Sequence, residues 1–344
     1  PNNLGSQYIQ QGVDEKIEDE VPGLHVTGKL ADLPNRKSPR VMAPNTSKFV
    51  ESPLKEVLEE CGYSTPYQRS PAHLSGFKNK DGEWIKPAML ALRKLTNNTR
   101  RMPDYMFDPI TRYMEKFYSK FQSTYTCHKR VLTIEEAIRG IPGLFDSLKL
   151  KTSPGYPHLL FATGKGKRQW ITFNDDDTVT ISQELRDRIK HLITLFENNE
   201  YEQIVVVDTL KDELLPQEKV DVGKVRIFQV LPMEINIIGR MYFMSFYNHC
   251  KENVSEQPVS TGLDPKSLDC DRMLRRLARV NSKGLKPDQE VWVAGDYKNY
   301  DSTLHTRVGE NHAAIVNYWY NDSQKDKNVR HTLMSAIFSC AHVF

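Results

Sequence analysis

The chain has 344 residues, 39% of them hydrophobic, which is enough to bury one large core or two smaller ones. Its 47 Lys and Arg against 44 Asp and Glu leave a net charge of only +3, so bulk charge makes no case for a nucleic-acid partner. Five widely spaced cysteines (Cys61, Cys127, Cys250, Cys270 and Cys340) without a CxxC, and histidines without an HExxH, argue against a disulfide framework and a zinc site.

The first fifty residues carry an acidic run from Asp14 to Glu20 and then scattered Pro, Asn, Ser and Lys, which reads as an extended arm with no signal peptide. Leu54, Val57 and Leu58 have helical spacing, and helical patterns recur over Pro87 to Leu95 and Pro109 to Phe121. Charge becomes local here. Lys86 to Arg130 holds ten basic residues and three acidic ones, Ser147 to Trp170 five and none, and Asp271 to Lys286 six and one. Such segments suit either a channel for a phosphate backbone or ordinary solvated faces. Trp170, Ile171 and Phe173, with Val179 and Ile181, flank Asn174-Asp175-Asp176-Asp177 and predict a hairpin. A helix from Ser182 to about Glu197 and a buried strand over Ile204 to Val207 follow. Ile235 to Tyr247 is too short for a bilayer span and contains Arg240, so it predicts a buried core helix.

Three segments could carry chemistry. Lys151-Thr152-Ser153-Pro154-Gly155-Tyr156-Pro157 is a stiffened loop expected to expose hydroxyl, backbone and aromatic groups to a nucleic-acid strand, or else a plain Pro/Gly turn. Lys211-Asp212-Glu213-Leu214, Lys219 and Gly223-Lys224-Val225-Arg226-Ile227 form the second. In an extended chain Lys224 and Arg226 share one face, and with Lys211 and Lys219 they would clamp a triphosphate. Four acids among them leave a salt-bridged surface hairpin as the alternative. In the third, Val291-Trp292-Val293-Ala294-Gly295-Asp296 predicts a buried strand delivering Asp296 to solvent as a Mg²⁺ ligand. A helix is then expected from near Ser302, with Leu304, Val308, Ile315 and Trp319 on one face. Asp301 or Ser302 could equally be its N-cap.

Taken in order, Thr152 to Pro157, Lys211 to Leu214 with Gly223 to Arg226, and Gly295 to Asp301 resemble the template loop, the nucleotide-channel motif and the first palm motif of picorna-like viral RNA-dependent RNA polymerases. Thr261-Gly262-Leu263-Asp264-Pro265 fits the same pattern, and the wording is most similar to the iflavirus and dicistrovirus groups.

The resemblance implies an α+β fold, a partial right hand with an arm over 1–50, fingers over 51–240, the beginning of the palm over 241–330 and a return toward the fingers over 331–344. It implies templated, metal-dependent transfer of nucleotides from NTPs to an RNA 3′ end in genome replication of a positive-strand RNA virus. Asp296 would be the catalytic carboxylate and ligand of Mg²⁺, or of Mn²⁺ in its place. Asp301 would sense the ribose 2′-hydroxyl, where a reverse transcriptase would carry an aromatic residue. Lys211, Lys219, Lys224 and Arg226 would line the triphosphate path, and Ser153, Gly155 and Tyr156 would touch template. Implied partners are RNA template and primer, NTPs, a viral protein primer and neighbouring polyprotein products. The implied location is the host cytoplasm, at membrane-associated replication complexes.

Two departures qualify this. Leu215 stands where enteroviral relatives carry an arginine, which shifts a phosphate contact toward Lys219. No Gly-Asp-Asp occurs, and Asp175-Asp176-Asp177 precedes Asp296 in a turn, so the chain is expected to be catalytically incomplete alone. A non-catalytic RNA-binding scaffold is the alternative.

Overall fold

The computed structural model of the protein describes residues 9–11, 25–26, 28–30, 46–63, 69–96, 103–121, 129–281, 294–297, 300 and 303–343. Within the expected arm, β1 (Ile9–Gln11) pairs antiparallel with β2 (Gly28–Leu30). Helix α1 (Lys55–Glu60) forms where the spacing predicts it, yet Leu54, Val57 and Leu58 are all exposed. Helical spacing defines an apolar face but not what covers it. Next come β3 (Arg69–Pro71), the hairpin of β4 (Phe77–Lys78) and β5 (Trp84–Ile85), α2 (Pro87–Leu92), α3 (Asp104–Tyr118) and α4 (Ile134–Arg139). A capping box starts α4: Thr133 accepts from the Glu136 N–H, and the Glu136 carboxylate accepts from the Thr133 N–H.

The middle of the chain follows its local signals closely. After α5 (His158–Phe161) and a tight 3-10 turn at Gly166–Gln169, β6 (Ile171–Phe173) and β7 (Val179–Ile181) form the predicted hairpin. Its turn places Asp177 at φ 68°, a left-handed position that Asp tolerates better than most residues. Ser182 caps α6 (Gln183–Glu197) by accepting from the Leu185 N–H, and Leu185, Ile189, Leu192 and Phe196 form its buried stripe. Strand β8 (Val205–Leu210) is buried at every position. It is the centre of a three-stranded sheet, with β10 (Ile227–Val230) antiparallel on one side and β11 (Ala341–Val343) parallel on the other. Between β8 and β10 the chain forms β9 (Leu214–Pro216), which pairs with β3, and α7 (Gln217–Asp221).

Helix α8 (Met233–Glu252) is the core helix expected over Ile235 to Tyr247. It is apolar nearly all round because its neighbours α4, α6, α10 (Thr306–Tyr320) and α11 (Gln324–Phe338) enclose it. Arg240 is accommodated by donating to the carbonyls of Ala137 and Asp146. Helix α9 (Leu268–Asn281) precedes residues 282–293.

Two expectations about the third motif need correction. Ala294, Gly295 and Asp296 are exposed and outside any strand, while Val291 to Val293 lie outside the described residues. A strand needs a ladder partner, and among the described residues no strand pairs with 294–297. Helix α10 starts at Thr306, not near Ser302, and only part of the expected face turns inward, with Trp319 buried and Ile315 packed half-buried on the core. Gly309, Ala313, Val316, Trp319 and Tyr320 are buried, whereas Leu304 and Val308 are exposed. The reason is close packing on α11: a side chain at Gly309 would collide with the Phe338 ring, so the smallest residue sits at the contact.

Two buried cations generate predictions. Arg330 is fully buried and satisfies its donors on three elements, with Nε to the Tyr242 carbonyl at 3.0 Å and Nη1 to Asn317 at 3.1 Å and to Asp322 at 3.0 Å. Its guanidinium stacks 3.8 Å from the Tyr320 ring centroid. Arg330→Ala leaves these acceptors unpaired and is expected to destabilise the protein by about 3–5 kcal/mol in urea unfolding. A loss below ~1 kcal/mol would contradict that role.

Lys167 is also buried and is held by acceptors from Thr152 and Ser153, with no carboxylate among them. Burial depresses its pKa from 10.5 to about 8. The unfolded chain therefore keeps this proton across a window in which the folded protein sheds it. The stabilisation is complete above pH 10.5 and is lost as pH falls through about 8. Between pH 7.5 and 9.5 the unfolding free energy of the wild type should rise by about 1–2 kcal/mol relative to Lys167→Met. Parallel pH profiles for the two proteins would refute this.

Candidate nucleotide and RNA site

The cationic hairpin grows out of β8. Lys211 follows its last residue, and the Lys211 N–H donates to the Arg226 carbonyl at 2.8 Å. The Lys224 N–H donates to the Lys219 carbonyl at 2.9 Å. These two bonds gather all four expected cations onto one surface, and all four are exposed. Val225 is buried and Ile227 half-buried, so Lys224 and Arg226 do face outward together, in the extended approach to β10.

Glu213 stands in the middle of the group. Arg226 Nε donates to Glu213 Oε1 at 2.7 Å, Arg226 Nη2 pairs with Oε2, and Lys211 Nζ lies 3.9 Å away. The Arg226 hydrogen bond holds the Glu213 carboxyl below its usual range against partial burial, helped by the charges of Lys211 and Lys219. In this state Arg226 is engaged with Glu213, the arrangement of the salt-bridged alternative. A phosphate approaching the Nε and Nη2 edge of the guanidinium would compete with that carboxylate.

The other acids are distributed outward. Asp212 accepts from Ser47 Oγ at 2.6 Å and from the Lys48 N–H at 2.7 Å, which ties residues 47–48 to the hairpin. Asp221 pairs with Lys80 at 2.6 Å. A fifth central cation, which the motif pattern did not single out, comes from the segment after α2. Lys94 Nζ donates to the Val225 carbonyl at 3.0 Å, and its pKa is lowered first by burial and then by the charge of Lys224. The only signal for it was the basic excess over Lys86 to Arg130, because its partner lies 131 residues away.

The loop from Lys151 to Pro157 packs differently from expectation. Tyr156 is buried, in a cluster with Leu160, Val205 and Val207 of β8, so it cannot stack on a base. Gly155 is buried too. Its φ is 76°, and a side chain there would strike the Leu231 carbonyl, so only glycine lets the loop close onto the residues leading into α8. The Met233 N–H donates to the Pro154 carbonyl at 2.8 Å and seals the contact. Ser153 is half-buried, its Oγ accepting from the Gly155 N–H at 3.2 Å and its carbonyl accepting from Lys167 at 2.7 Å. Lys151 and Thr152 are the residues of this loop that remain exposed. The physical reason is that the Pro-Gly-Tyr-Pro stretch is an anchor, and the aromatic ring fills the gap between loop and strand.

Asp296 is exposed beside Tyr297 and Tyr300, whose ring centroids are 5.7 Å apart. Asp301 and Ser302 lie outside the described residues. The N-cap of α10 is His305, whose Nδ1 accepts from the Arg307 N–H at 3.1 Å, so that helix needs neither of them as its cap. Among the described residues no three His, Cys, Asp or Glu side chains gather to hold a metal. Asp296 is a hard oxygen donor of the kind Mg²⁺ uses, but it offers a single carboxylate.

Comparison with known proteins gives the family and the fold. The sequence profile of the family described as viral RNA-dependent RNA polymerase matches residues 35–342. The replicase polyprotein of acute bee paralysis virus is 31% identical over 219 residues, covering 62% of this chain and 11% of that protein. The replicase polyprotein of cricket paralysis virus is 30% identical over 259 residues, covering 72% of the chain and 14% of that protein. Among solved structures, the Sicinivirus 3Dpol RNA-dependent RNA polymerase superposes with a TM-score of 0.67 at 20% identity, covering 91% of this chain and 59% of that one. The fold is thus that of a right-hand polymerase, and the chain spans well under two thirds of these relatives' lengths. By sequence and by fold, the chain belongs to the viral RNA-dependent RNA polymerase family.

Proposed function

We propose that this chain supplies the fingers and the first palm motif of an enzyme that copies an RNA template, adding ribonucleotides to an RNA 3′ end during viral genome replication. The observation that carries this reading is the shared strand β8. The template loop packs on Val205 and Val207 through Tyr156, and the same strand runs directly into Lys211. A single rigid element therefore sets the distance between the loop offered to a template and the cations offered to a triphosphate.

In this reading Lys94, Lys211, Lys219 and Lys224 attract the triphosphate, and Arg226 exchanges Glu213 for a phosphate as the nucleotide arrives. Guanidinium matches both partners in the same two-pronged geometry, which makes that exchange cheap in hydrogen bonds. Lys151 and Thr152, backed by buried Lys167, meet the template backbone. Asp296 contributes one oxygen ligand to divalent metal, Mg²⁺ or Mn²⁺, which when bound neutralises the charge developing on the phosphates during nucleotidyl transfer. At least one further carboxylate must join it for a two-metal reaction, so this chain alone should not polymerise. RNA primer and template, NTPs, a viral protein primer and neighbouring polyprotein products are the proposed partners. A membrane-associated replication complex in the host cytoplasm is the proposed setting. Among the described residues no helix is long and apolar enough to cross a membrane.

RNA binding by the chain should be electrostatic and sequence-tolerant. If about four phosphates are contacted, raising salt from about 50 to 200 mM should weaken single-stranded RNA binding by roughly fiftyfold, and a change below about twofold would end the channel reading. Replacing Lys94 and Lys224 together by Ala should flatten the salt dependence.

Asp296 and Asp301 should fail differently in a polymerase that contains this chain. Asp296→Asn halves the carboxylate's donor strength at a hard cation and should abolish incorporation of any nucleotide. Asp301→Ala removes a sugar contact, so kcat/KM for ribonucleotides should fall much more than kcat/KM for deoxyribonucleotides. Incorporation that survives Asp296→Asn, or an unchanged sugar preference after Asp301→Ala, would remove the residue concerned from the site.

A further inference from the structure

After α11, Ser339 and Cys340 lead into β11. The crossing is pinned on both sides: Gln203 Nε2 donates to the Ser339 carbonyl at 2.7 Å, and the Ala341 N–H donates to the Ile204 carbonyl at 2.8 Å. Positions 340 and 342 share one face of this extended segment. Their side chains meet, with Cys340 Sγ 3.7 Å from His342 Nε2. On its other side His342 Nδ1 lies 3.1 and 3.0 Å from the two carboxylate oxygens of Asp208, a fully buried residue of β8. A carboxylate can only accept, so Nδ1 carries a hydrogen and donates it. The Asp208 hydrogen bond, then that of Cys340, push the His342 pKa up to about 10 against burial. At neutral pH the ring is therefore an imidazolium whose second N–H points at sulfur.

Thiol, imidazole and buried carboxylate in line are the parts of an activated nucleophile, and neither the template loop nor the cationic hairpin uses them. We propose that Cys340 is a covalent modification site, its sulfur held beside His342 and the imidazole oriented through Asp208, that takes soft carbon electrophiles. With iodoacetamide as the electrophile, a lone pair on Sγ forms the S–C bond to the methylene carbon as the C–I bond breaks. Iodide leaves. His342 keeps both ring hydrogens, the hydrogen of the thiol passes to buffer, and the products are a thioether, iodide and a buffered proton. Two other cysteines, Cys250 and Cys61, serve as controls. Burial pushes the Cys250 thiol up to about 12, which leaves it unreactive. Cys61 is exposed at the end of α1 and reports the rate of an accessible thiol.

The test is competitive alkylation of the folded chain with limiting iodoacetamide at pH 7, read as carboxamidomethylated peptides by mass spectrometry. Cys340 should label at least about fivefold faster than Cys61, and in urea the two should label alike. His342→Gln should cut the native ratio by at least half. A native ratio below about fivefold, or one that persists in urea, overturns the assignment without reference to any variant. So does a ratio that His342→Gln leaves intact, provided its far-ultraviolet circular dichroism matches that of the wild type.

Discussion

The buried guanidinium of Arg330 is the constraint on which the arrangement of the helical layer depends. A cation removed from water must find acceptors in every direction its five N–H groups point, and here those acceptors come from Tyr242 on α8, Asn317 on α10 and Asp322 in the turn before α11. None of these helices can rotate or slide without stranding a charge. The helices in turn set the ends of the sheet. Helix α8 begins where the loop from Lys151 to Pro157 closes, through the bond between Met233 and Pro154, and α11 delivers β11 to the edge of β8.

Strand β8 then serves as a rail between loop and hairpin. All six of its residues are buried, and each side of the sheet carries something different. Tyr156 and Leu160 pack on Val205 and Val207, while β10 brings the Lys224 to Arg226 segment back beside Lys211. Burial of a polar group inside such a strand requires a partner, and Asp208 has one in His342. The charged pair therefore both satisfies a buried carboxylate and fastens β11.

The electrostatics of the site are those of cations kept available by structure. Two of the hairpin's acids are drawn to other segments, Asp212 to Ser47 and Lys48 and Asp221 to Lys80. At the centre of the cluster Glu213 pairs with Arg226 and lies near Lys211. To a stretch whose own charges balance, folding adds Lys94 from a segment 131 residues away.

Sequence alone determined the features whose causes are local. Ser182 caps a helix because its hydroxyl reaches an N–H three residues on, and the β6–β7 hairpin follows from alternation around a polar turn. The order of three motifs sufficed for the family, because residue identity and order along the chain are legible without any tertiary contact. Tertiary structure decided everything that needed a distant partner. Tyr156 looked like an exposed aromatic and is buried, because Val205 and Val207 lie beneath it. Gly309 rather than Leu304 or Val308 faces the core, because Phe338 comes too close for a side chain. Lys94 joins the hairpin across 131 residues and His342 reaches Asp208 across 134. Helical and strand periodicity says which residues share a face, but burial and pairing depend on which surface packs against that face, and no local pattern carries that information.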